Sequence, residues 1–404
     1  MSGIVVVGGG QAGASLVARL RSQGYDGAIT LIGEEPDLPY QRPPLSKKYL
    51  LGEMERERLY LRPAAYYDDN DITVLTGTEV TGIDRAGKRV LMGDRALAYD
   101  QLALTLGSHP RHLPASTGGD LAGVHVVRTL KDIDDMAPGV TEGARALIVG
   151  GGYIGLEAAA VAAQRGMQVT LVEAADRLLK RVAARETSDY FRTLHAAHGV
   201  DVREGNGLTR LIGTDGRVTG ALLTCGTELD VDLVIVGIGI APTTALAEAA
   251  GLTIDNGIAV DAQGRSSDAS IWAAGDCASF PYRGARIRLE SVQNAIDHAE
   301  LVADNILGAG KDYEPHPWFW SDQYDVKLQI AGLNSGYDRI VMRDGGREGS
   351  LSYWYFAGDT LLAVDAMNDS RAYMIGKRLI EVGKSPDPAV VADAGSDLKA
   401  LLTA

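Results

Sequence analysis

Two glycine-rich loops are the features of this sequence whose residue types and spacing predict the most specific chemistry. The first is Gly8-x-Gly10-x-x-Gly13 and the second is Gly150-x-Gly152-x-x-Gly155. In such a loop the first glycine allows a sharp turn and the second lets backbone amides approach a pyrophosphate. The third lets the following helix pack closely on the preceding strand. The sequence therefore predicts two binding sites for adenine dinucleotides.

A carboxylate follows each loop at the position that suits a ribose. Glu34, with Glu35 as an adjacent candidate, follows the first unit, and Glu173 ends the second. A carboxylate there accepts hydrogen bonds from ribose hydroxyls and repels a 2′-phosphate. No arginine follows Glu173 directly, and Asp176 adds negative charge, so the second site is predicted to prefer NADH to NADPH. Arg177 is the residue that could reverse this preference, although we expect it to lie outside the pocket.

The elements that position the loops are two strand–helix–strand units. They cover residues 4–7, 12–22 and 28–32, and again residues 146–149, 154–165 and 168–172. Short apolar strands joined by a crossover helix predict parallel sheets that are buried on both faces. After a linker at 313–317, strands are predicted at 328–331, 339–342, 351–356 and 361–366, and a helix near 371–381.

The predicted fold class is α/β, with two Rossmann-like dinucleotide-binding domains and a small α+β C-terminal domain. The first dinucleotide-binding domain is discontinuous and is predicted to span 1–112 and 243–317. The second spans 113–242 and the C-terminal domain spans 318–404. Two dinucleotide sites in one chain suit a permanently bound flavin, FAD, and a hydride donor that comes and goes, NADH.

Composition excludes several other classes of function. The formal net charge is −14, which argues against nucleic acid or an anionic membrane as a partner. No apolar run is long enough to span a membrane, so a cytoplasmic enzyme is expected. The two cysteines, Cys225 and Cys277, are predicted to be buried apolar residues. The close histidine pair, His195 and His198, is predicted to lie on a surface helix, and no metal site is expected.

Several further motifs carry a resemblance to a known family. They are the run Arg42-Pro43-Pro44-Leu45-Ser46-Lys47, the second loop continued as Tyr153-Ile154-Gly155-Leu156-Glu157, Gly275-Asp276-Cys277-Ala278, Glu290-Ser291-Val292 and Trp318-Phe319-Trp320-Ser321-Asp322-Gln323-Tyr324. With these motifs the chain resembles the FAD-dependent pyridine-nucleotide reductases of glutathione-reductase-like architecture. Within them it is most similar to the ferredoxin reductases that serve bacterial cytochrome P450 systems.

The resemblance implies roles for particular residues. The FAD site would comprise Gly8, Gly10, Ala12, Gly13, Glu34, Arg42, Lys47, Val80, Arg128, Asp276 and Val292. Lys47 would lie near the flavin ring, Asp276 would bind the ribityl chain, and the Val292 amide would approach the pyrimidine edge. A solvated Lys47 and a surface salt bridge for Arg128 are the alternatives.

The NADH site follows from the same resemblance. It would comprise Gly150, Gly152, Tyr153, Ile154, Gly155, Glu157, Glu173, Gly237 and Glu290. Lys47, Glu157 and Trp320 would act at the reacting centre, with Trp320 packed near the flavin. Trp318 and Phe319 are instead expected in the core of the C-terminal domain.

One departure and one absence refine the expected function. The resembled group has an Ala-Thr-Gly turn where this chain has Thr105-Leu106-Gly107, which puts one flavin-side contact in doubt. The cysteines that disulfide reductases and peroxidases of this architecture carry shortly after the Arg42–Lys47 run are missing, so electrons would pass directly from the flavin to an outside acceptor.

The resemblance thus implies an NADH:ferredoxin oxidoreductase whose partner is a [2Fe–2S] ferredoxin that feeds a cytochrome P450. The alternatives are the reductase component of a Rieske-type dioxygenase and an NADH-sensing flavoprotein without a ferredoxin partner. Arg283, Arg286 and Arg288 form a basic cluster that could dock an acidic ferredoxin or could be an ordinary solvated loop.

Overall fold

The computed structural model describes residues 3–403, apart from the side chain of Thr403. The strands, numbered in chain order, are β1 Gly3–Val7, β2 Ile29–Ile32, β3 Ile72–Leu75, β4 Gly82–Asp84, β5 Arg89–Met92, β6 Arg95–Leu104, β7 Ser108–Pro110, β8 Val124–His125, β9 Arg145–Val149, β10 Gln168–Glu173, β11 Asp201–Glu204, β12 Leu208–Thr214, β13 Arg217–Leu223, β14 Glu228–Asp230, β15 Leu233–Val236, β16 Ile240–Pro242, β17 Ile258–Ala259, β18 Ile271–Ala273, β19 Ala278–Tyr282, β20 Ala285–Ile287, β21 Trp318–Gln323, β22 Val326–Gly332, β23 Arg339–Asp344, β24 Leu351–Ala357 and β25 Thr360–Met367.

The helices are α1 Gln11–Ser22, α2 Ala64–Asp69, α3 Leu130–Met136, α4 Tyr153–Gln164, α5 Arg185–Ala197, α6 Ala245–Ala249, α7 Val292–Ile306, α8 Ser370–Glu381, α9 Pro388–Ala392 and α10 Ala400–Thr403.

The chain divides into two compact units. Unit 1 contains the residues up to Arg42, Glu55–His109 and Ile240–Pro317. Unit 2 contains Pro43–Met54, Pro110–Gly239 and Trp318 to the C-terminus. The predicted three-domain boundaries remain a prediction.

Unit 1 is built on a sheet whose central strands run parallel in the order β3-β2-β1-β6-β18, with β5 and β4 added as an antiparallel extension of β6. Successive residues of β1 enter two different hydrophobic clusters, because side chains alternate across a strand. Val5 and Val7 belong to one cluster, and Ile4 and Val6 belong to the other, which also contains α1 and α7 residues. The sheet is therefore buried on both faces, as predicted.

Unit 2 combines a dinucleotide-type sheet with an antiparallel sheet. The first is parallel in the order β11-β10-β9-β15-β8, and β12, β13 and β14 form a small antiparallel sheet. The C-terminal sheet has the order β21-β22-β25-β24-β23, with α8 packed on it. The buried Arg343 fastens the end of the chain there, since its guanidinium donates to the carbonyls of Val391, Asp393, Ala394 and Ser396.

The α/β fold class is confirmed, and both predicted strand–helix–strand units form within a residue or two of their expected bounds. The strand pair β12–β13 was not predicted, and neither was β21, which contains the aromatic run Trp318–Trp320. One face of β21 presents Phe319, Ser321 and Gln323, and the other presents Trp318 and Trp320.

Candidate functional site

The first glycine loop is shaped by close backbone contacts that only glycine permits. Gly8 has a φ of +118°, and a Cβ there would lie 2.1 Å from the carbonyl oxygen of Thr105. A Cβ on Gly13 would lie 2.1 Å from the carbonyl oxygen of Gly8. The Thr105 hydroxyl donates to that same Gly8 carbonyl at 2.9 Å and to Val7 at 3.2 Å. In this chain Thr105 therefore holds the first glycine loop.

Gly10 differs from its neighbours because the space beside it is open. A Cβ on Gly10 would meet no heavy atom of residues 3–403 within 4 Å. Gly10 is also the N-cap of α1, no side chain caps the helix, and its first turn carries no acidic residue. The amides at the positive end of the helix are thus open to an anion, and these residues fit the pyrophosphate of FAD.

The second loop repeats this arrangement in unit 2. Gly150 has a φ of +108°, and a Cβ on Gly155 would lie 2.0 Å from the Gly150 carbonyl oxygen. Gly237, at the end of β15, packs against the loop, since its carbonyl oxygen is 2.4 Å from a Cβ built on Gly150. Gly152 is the uncapped N-cap of α4, and a Cβ there would meet nothing within 4 Å in the described part of the chain. This loop fits the pyrophosphate of NADH.

Glu173 lies against the second loop. Its carboxylate accepts hydrogen bonds from the amides of Gly151 and Ala175, both at 2.7 Å. Arg177 is held elsewhere, because its guanidinium donates to the Ser188 hydroxyl at 2.6 Å and to the Lys180 carbonyl at 3.2 Å. The negative charge at the end of β10 is therefore not cancelled by Arg177, in keeping with the predicted NADH preference.

The acids that follow the first unit have separate environments. Glu34 is exposed at the end of β2. Glu35 is paired with Arg42 at 2.5 Å and accepts a hydrogen bond from Tyr40. Arg42, which was predicted to contact the cofactor, thus fastens the neighbouring loop through Glu35. Glu34 remains the residue predicted to bind the ribose.

Three more predicted FAD residues of unit 1 lie on separate elements. Asp276 follows β18 in a single tight turn and accepts a hydrogen bond from the Ser108 hydroxyl at 2.9 Å. Val292 is the first residue of α7, whose N-terminus is capped by the Ser291 hydroxyl. Val80 is half-buried against the unit 1 core. Their contacts with FAD stay predictions.

A buried ion pair occupies the interior of unit 2. Lys47 Nζ lies 2.7 Å from Glu157 Oε2, and the two side chains are 16% and 6% exposed. The Ser46 hydroxyl donates to the same oxygen at 2.7 Å, and the Ser321 hydroxyl donates to Oε1 at 2.7 Å. A buried pair is tolerated only when its remaining lone pairs are satisfied, and these serines do so. Lys47 is therefore paired with Glu157, and the solvated alternative is wrong.

The aromatic residues near the second loop correct part of the prediction. The Tyr153 ring packs 4.9 Å from the Phe319 ring, and burial raises the pKa of the Tyr153 hydroxyl well above 10. The Tyr153 hydroxyl is thus turned away from solvent, although the residue as a whole is half-buried, whereas Ile154 is exposed. Phe319 packs on α4, so its assignment to the C-terminal core is wrong. Trp318 does pack against that core and lies 5.5 Å from Trp320.

The remaining predicted site residues are not brought together by contacts within one unit. Glu290 belongs to unit 1 and forms an ion pair with Arg288. Arg128 belongs to unit 2, where its backbone amide donates to Asp132 at 3.1 Å. Lys47 and Trp320 also belong to unit 2. The roles of Lys47, Arg128 and Trp320 toward FAD, and of Glu290 toward NADH, stay predictions.

Two expectations about cysteine and histidine are wrong. Cys225 is exposed, and hydrogen bonding to Thr227 and Asn206 lowers its pKa to about 7. Cys277 is buried, as predicted, and burial raises its pKa to about 11. His198 is exposed, but His195 is fully buried, because its face of α5 is covered by β21 residues. Among residues 3–403 no cluster of metal-ligating side chains is found.

The basic cluster is also smaller than predicted. Arg286 donates to the carbonyls of Ser279 and Val260 at 2.6 and 3.0 Å, and Arg288 donates to Asn256 at 3.0 Å and pairs with Glu290. Arg283 is exposed and lies over the Tyr282 ring. Two of the three arginines therefore serve the local structure.

Sequence reasoning missed the hydrogen-bond partners Ser46 and Ser321 of Glu157, and also Gln323 and His195, which continue the chain of hydrogen bonds from Ser321. A usable signal was present for two of them, since Ser321 and Gln323 alternate with Trp320 and Asp322. Such alternation predicts a strand with one distinct face. The partner of that face could not be found from the sequence, because His195 is more than a hundred positions away.

Comparisons with known proteins agree with this geometry. Residues 2–299 match the family described as pyridine nucleotide-disulphide oxidoreductase, and residues 318–402 match the reductase C-terminal domain. The chain is 43% identical over 399 residues to rhodocoxin reductase of Rhodococcus erythropolis, covering 98% of this chain and 93% of the relative.

Two solved structures are similar over nearly the whole chain. One is the covalent complex of putidaredoxin reductase with putidaredoxin, with a TM-score of 0.96, 39% identity, and coverage of 100% of this chain and 98% of that one. The other is the ferredoxin reductase for the CYP199A2 system from Rhodopseudomonas palustris, with a TM-score of 0.95, 38% identity and 99% coverage of both chains. In the described part of this chain, every helix is too short or too polar to cross a bilayer.

Proposed function

Because the chain belongs to the pyridine nucleotide-disulphide oxidoreductase family, in the branch that contains rhodocoxin reductase, we propose that it is an NADH-dependent ferredoxin reductase. FAD is the resident cofactor and NADH is the reductant, as in the family. Each unit contributes one glycine loop that fits a dinucleotide. We place the enzyme in the cytoplasm, where NADH is available.

The observation that carries this proposal is the pair of open glycine loops in a chain without a redox-active pair of thiols. Gly10 and Gly152 face open space at uncapped helix N-termini. Cys277 is buried with a raised pKa and belongs to unit 1, while Cys225 belongs to unit 2. No cysteine lies between Arg42 and Met54. Electrons therefore leave without a disulfide relay.

The chemistry divides between the cofactor and the protein. Bound FAD supplies hydride acceptance from NADH and release of electrons one at a time. The chain binds the pyrophosphates at the N-termini of α1 and α4, and Glu173 selects the unphosphorylated ribose. Lys47 is held in position by Glu157, and its positive charge would favour the anionic reduced state of the flavin.

The electron acceptor is proposed to be a [2Fe–2S] ferredoxin that feeds a cytochrome P450. Two solved relatives support a ferredoxin partner by name, since one is a complex with putidaredoxin and the other is called a ferredoxin reductase. The motifs that resemble reductases of P450 systems support the second step. The alternative is that the ferredoxin feeds a Rieske-type dioxygenase, and the experiment below distinguishes the two.

The test is anaerobic stopped-flow reduction of the yellow holoprotein. NADH should bleach the flavin at least tenfold faster than NADPH at equal concentration, a ratio that corresponds to about 1.4 kcal/mol, because Glu173 repels the 2′-phosphate. The reduced protein should then reduce a [2Fe–2S] ferredoxin from a P450 gene cluster faster than one from a dioxygenase cluster. A colourless protein, or bleaching that requires NADPH, would contradict the proposal. Slow reoxidation by every ferredoxin would favour the NADH-sensing alternative.

Docking can be tested at Arg283, an exposed member of the basic cluster. Arg283→Glu should raise the KM for ferredoxin several-fold, because an acidic partner meets a negative charge in place of a positive one. The rise in KM should be larger at low salt, where charges are screened less. Ferricyanide reduction should not change, since a small acceptor needs no docking. Lys88→Glu, another exposed surface cation of unit 1, is the matched control. Equal effects of Arg283→Glu on both acceptors would exclude a docking role.

A further inference from the structure

Strand β21 presents a buried polar face in unit 2. Ser321 and Gln323 are both fully buried, and they point to the same side as Phe319, which packs on α4. Buried side-chain polar atoms normally have partners, because burying them unpaired costs roughly 1–3 kcal/mol. The partners of this face are Glu157 of α4 and His195 of α5.

These residues form one continuous chain of hydrogen bonds. Tyr324 Oη lies 3.2 Å from His195 Nδ1, and His195 Nε2 lies 2.8 Å from Gln323 Oε1. Gln323 Nε2 donates to Ser321 Oγ at 3.1 Å, and Ser321 Oγ donates to Glu157 Oε1 at 2.7 Å. The chain ends on the carboxylate that pairs with Lys47.

The direction of every bond depends on which nitrogen of His195 carries the proton. With a proton on Nε2, His195 donates to Gln323 Oε1 and accepts from Tyr324, so the amide of Gln323 faces Ser321. The Ser321 hydroxyl then accepts from that amide and has its own proton left for Glu157. With the proton on Nδ1, the Gln323 amide would turn over. Ser321 would then donate to Gln323 and would no longer donate to Glu157.

The charge on Glu157 favours the first arrangement. A hydrogen bond to an ionised carboxylate is stronger than one between neutral groups, and only the first arrangement provides it. His195 must also be neutral. Burial lowers the pKa of His195 to about 4, and the groups that face it are Gln323, Tyr324 and the neighbouring His198, which stacks on Tyr324.

We propose that His195 is a positioning residue of the reductase, which acts through Gln323 and Ser321 to fix the hydrogen bond that orients Glu157 toward Lys47. The binding of the two dinucleotides does not explain why Ser321 and Gln323 stand in the aromatic motif. In this proposal they connect His195 to Glu157. It rests on the proposed function only for its kinetic consequence, because the hydrogen-bond chain itself lies within unit 2.

The first test needs no activity. Nitrogen-15 NMR of the histidine-labelled holoprotein reports which ring nitrogen is protonated. We expect the His195 signal to show a neutral ring with the proton on Nε2 at neutral pH. The Tyr324 hydroxyl can either donate to Nδ1 or accept from it, so Tyr324→Phe should leave the proton on Nε2. Ser321→Ala breaks the link to Glu157 and should let the other tautomer become populated. A wild-type His195 that is protonated on Nδ1, or on both nitrogens, would overturn the proposal.

The second test uses two amides that imitate different halves of the imidazole. His195→Gln places a donor near the position of Nε2 and can still donate to Gln323, whereas His195→Asn reaches only the position of Nδ1. With His195→Asn and with Ser321→Ala, the limiting rate of flavin reduction by NADH should fall roughly tenfold or more, because a misplaced supporting group can cost this much. The KM for NADH should change little, since the glycine loop is intact.

His195→Gln should restore most of the lost rate. Equal rates in the Gln and Asn variants, or a loss expressed in KM alone, would contradict the positioning role. If the wild-type flavin is not reduced by NADH at all, the proposed function fails, while the tautomer measurement still decides the arrangement of the chain.

Discussion

At the scale of single residues, Glu157 shows how much of a site depends on groups that are remote in sequence. Lys47 and Glu157 were both predicted as site residues, from two separate motifs. Their mutual contact, at 2.7 Å, was not predicted, because nothing in a sequence tells which buried cation meets which buried carboxylate. The serines that complete the pair were also unassigned. Residue types were thus predictable here, and their pairing was not.

Breaking this ion pair on one side should be more harmful than removing both charges. Lys47→Met leaves the Glu157 carboxylate buried without its cation and should lower the free energy of unfolding by roughly 3 kcal/mol. Adding Glu157→Gln to it should recover part of that loss. The measurement is urea unfolding of the two variants beside Lys48→Met, an exposed control. A double variant that is less stable than Lys47→Met would show that the charge is not the cause.

Glu173 should determine the choice between the two nicotinamide dinucleotides. Glu173→Gln keeps the size of the side chain and one acceptor for the Gly151 or Ala175 amide, but it removes the charge that repels a 2′-phosphate. The ratio of kcat/KM for NADH to that for NADPH should fall roughly tenfold. Asp135→Asn, an exposed residue of α3 paired with Lys131, is the control. An unchanged ratio in Glu173→Gln would place the selectivity elsewhere.

At the scale of elements, the two strand–loop–helix units were predictable because their glycine spacing, apolar strands and acids agree with each other. Strand β21 was missed because tryptophan and phenylalanine at its start read equally well as core residues of any element. That both of its faces pack against other elements became clear only from the contacts of Phe319 with Tyr153 and of Trp318 with Tyr373. Aromatic composition therefore indicated burial without indicating the secondary structure.

The first loop offers a matched pair of substitutions that separates folding from binding. Gly13→Ala would place a Cβ 2.1 Å from the Gly8 carbonyl oxygen, so it should destabilise unit 1 by more than 1 kcal/mol. A Cβ on Gly10 would meet no described atom within 4 Å, and the φ of −94° at Gly10 suits alanine. Gly10→Ala should fold normally but lose FAD, since the methyl group takes the space of a phosphate. The flavin content and the thermal unfolding midpoint of both variants distinguish the two effects; retention of FAD by Gly10→Ala would contradict the proposed site.

At the scale of the whole molecule, one buried carboxyl should make stability depend on pH. Asp365 of β25 accepts hydrogen bonds from Tyr355 of β24 and from Thr187 of α5, while its other oxygen is buried without a partner among the described residues. Burial raises the pKa of Asp365 from 3.8 to about 6. The folded chain therefore holds this proton more tightly than the unfolded chain does. The contribution of Asp365 to stability is full below about pH 4 and is lost as the pH rises through 6.

Asp365→Asn should consequently be more stable than the wild type at pH 8, by roughly 2–3 kcal/mol, because it avoids burying a charge. The advantage should shrink as the pH is lowered and vanish near pH 4. Urea unfolding at pH 4.5, 6 and 8 measures this difference, with the exposed Asp359→Asn as the control. An advantage of Asp365→Asn that is the same at all three values would mean that the carboxyl stays protonated throughout, or that its ionisation has no influence.

The packing of β21 against other elements on both faces limits where such reductases can be recombined. Its Phe319, Ser321 and Gln323 side chains complete the surroundings of α4 and α5, while Trp318 belongs to the sheet that continues to the C-terminus. A chimera joined in the predicted linker at 313–317 would bring a foreign strand against Glu157 and His195. Exchange of the last domain between relatives should therefore transfer α4 and α5 together with it, or place the junction after Tyr324.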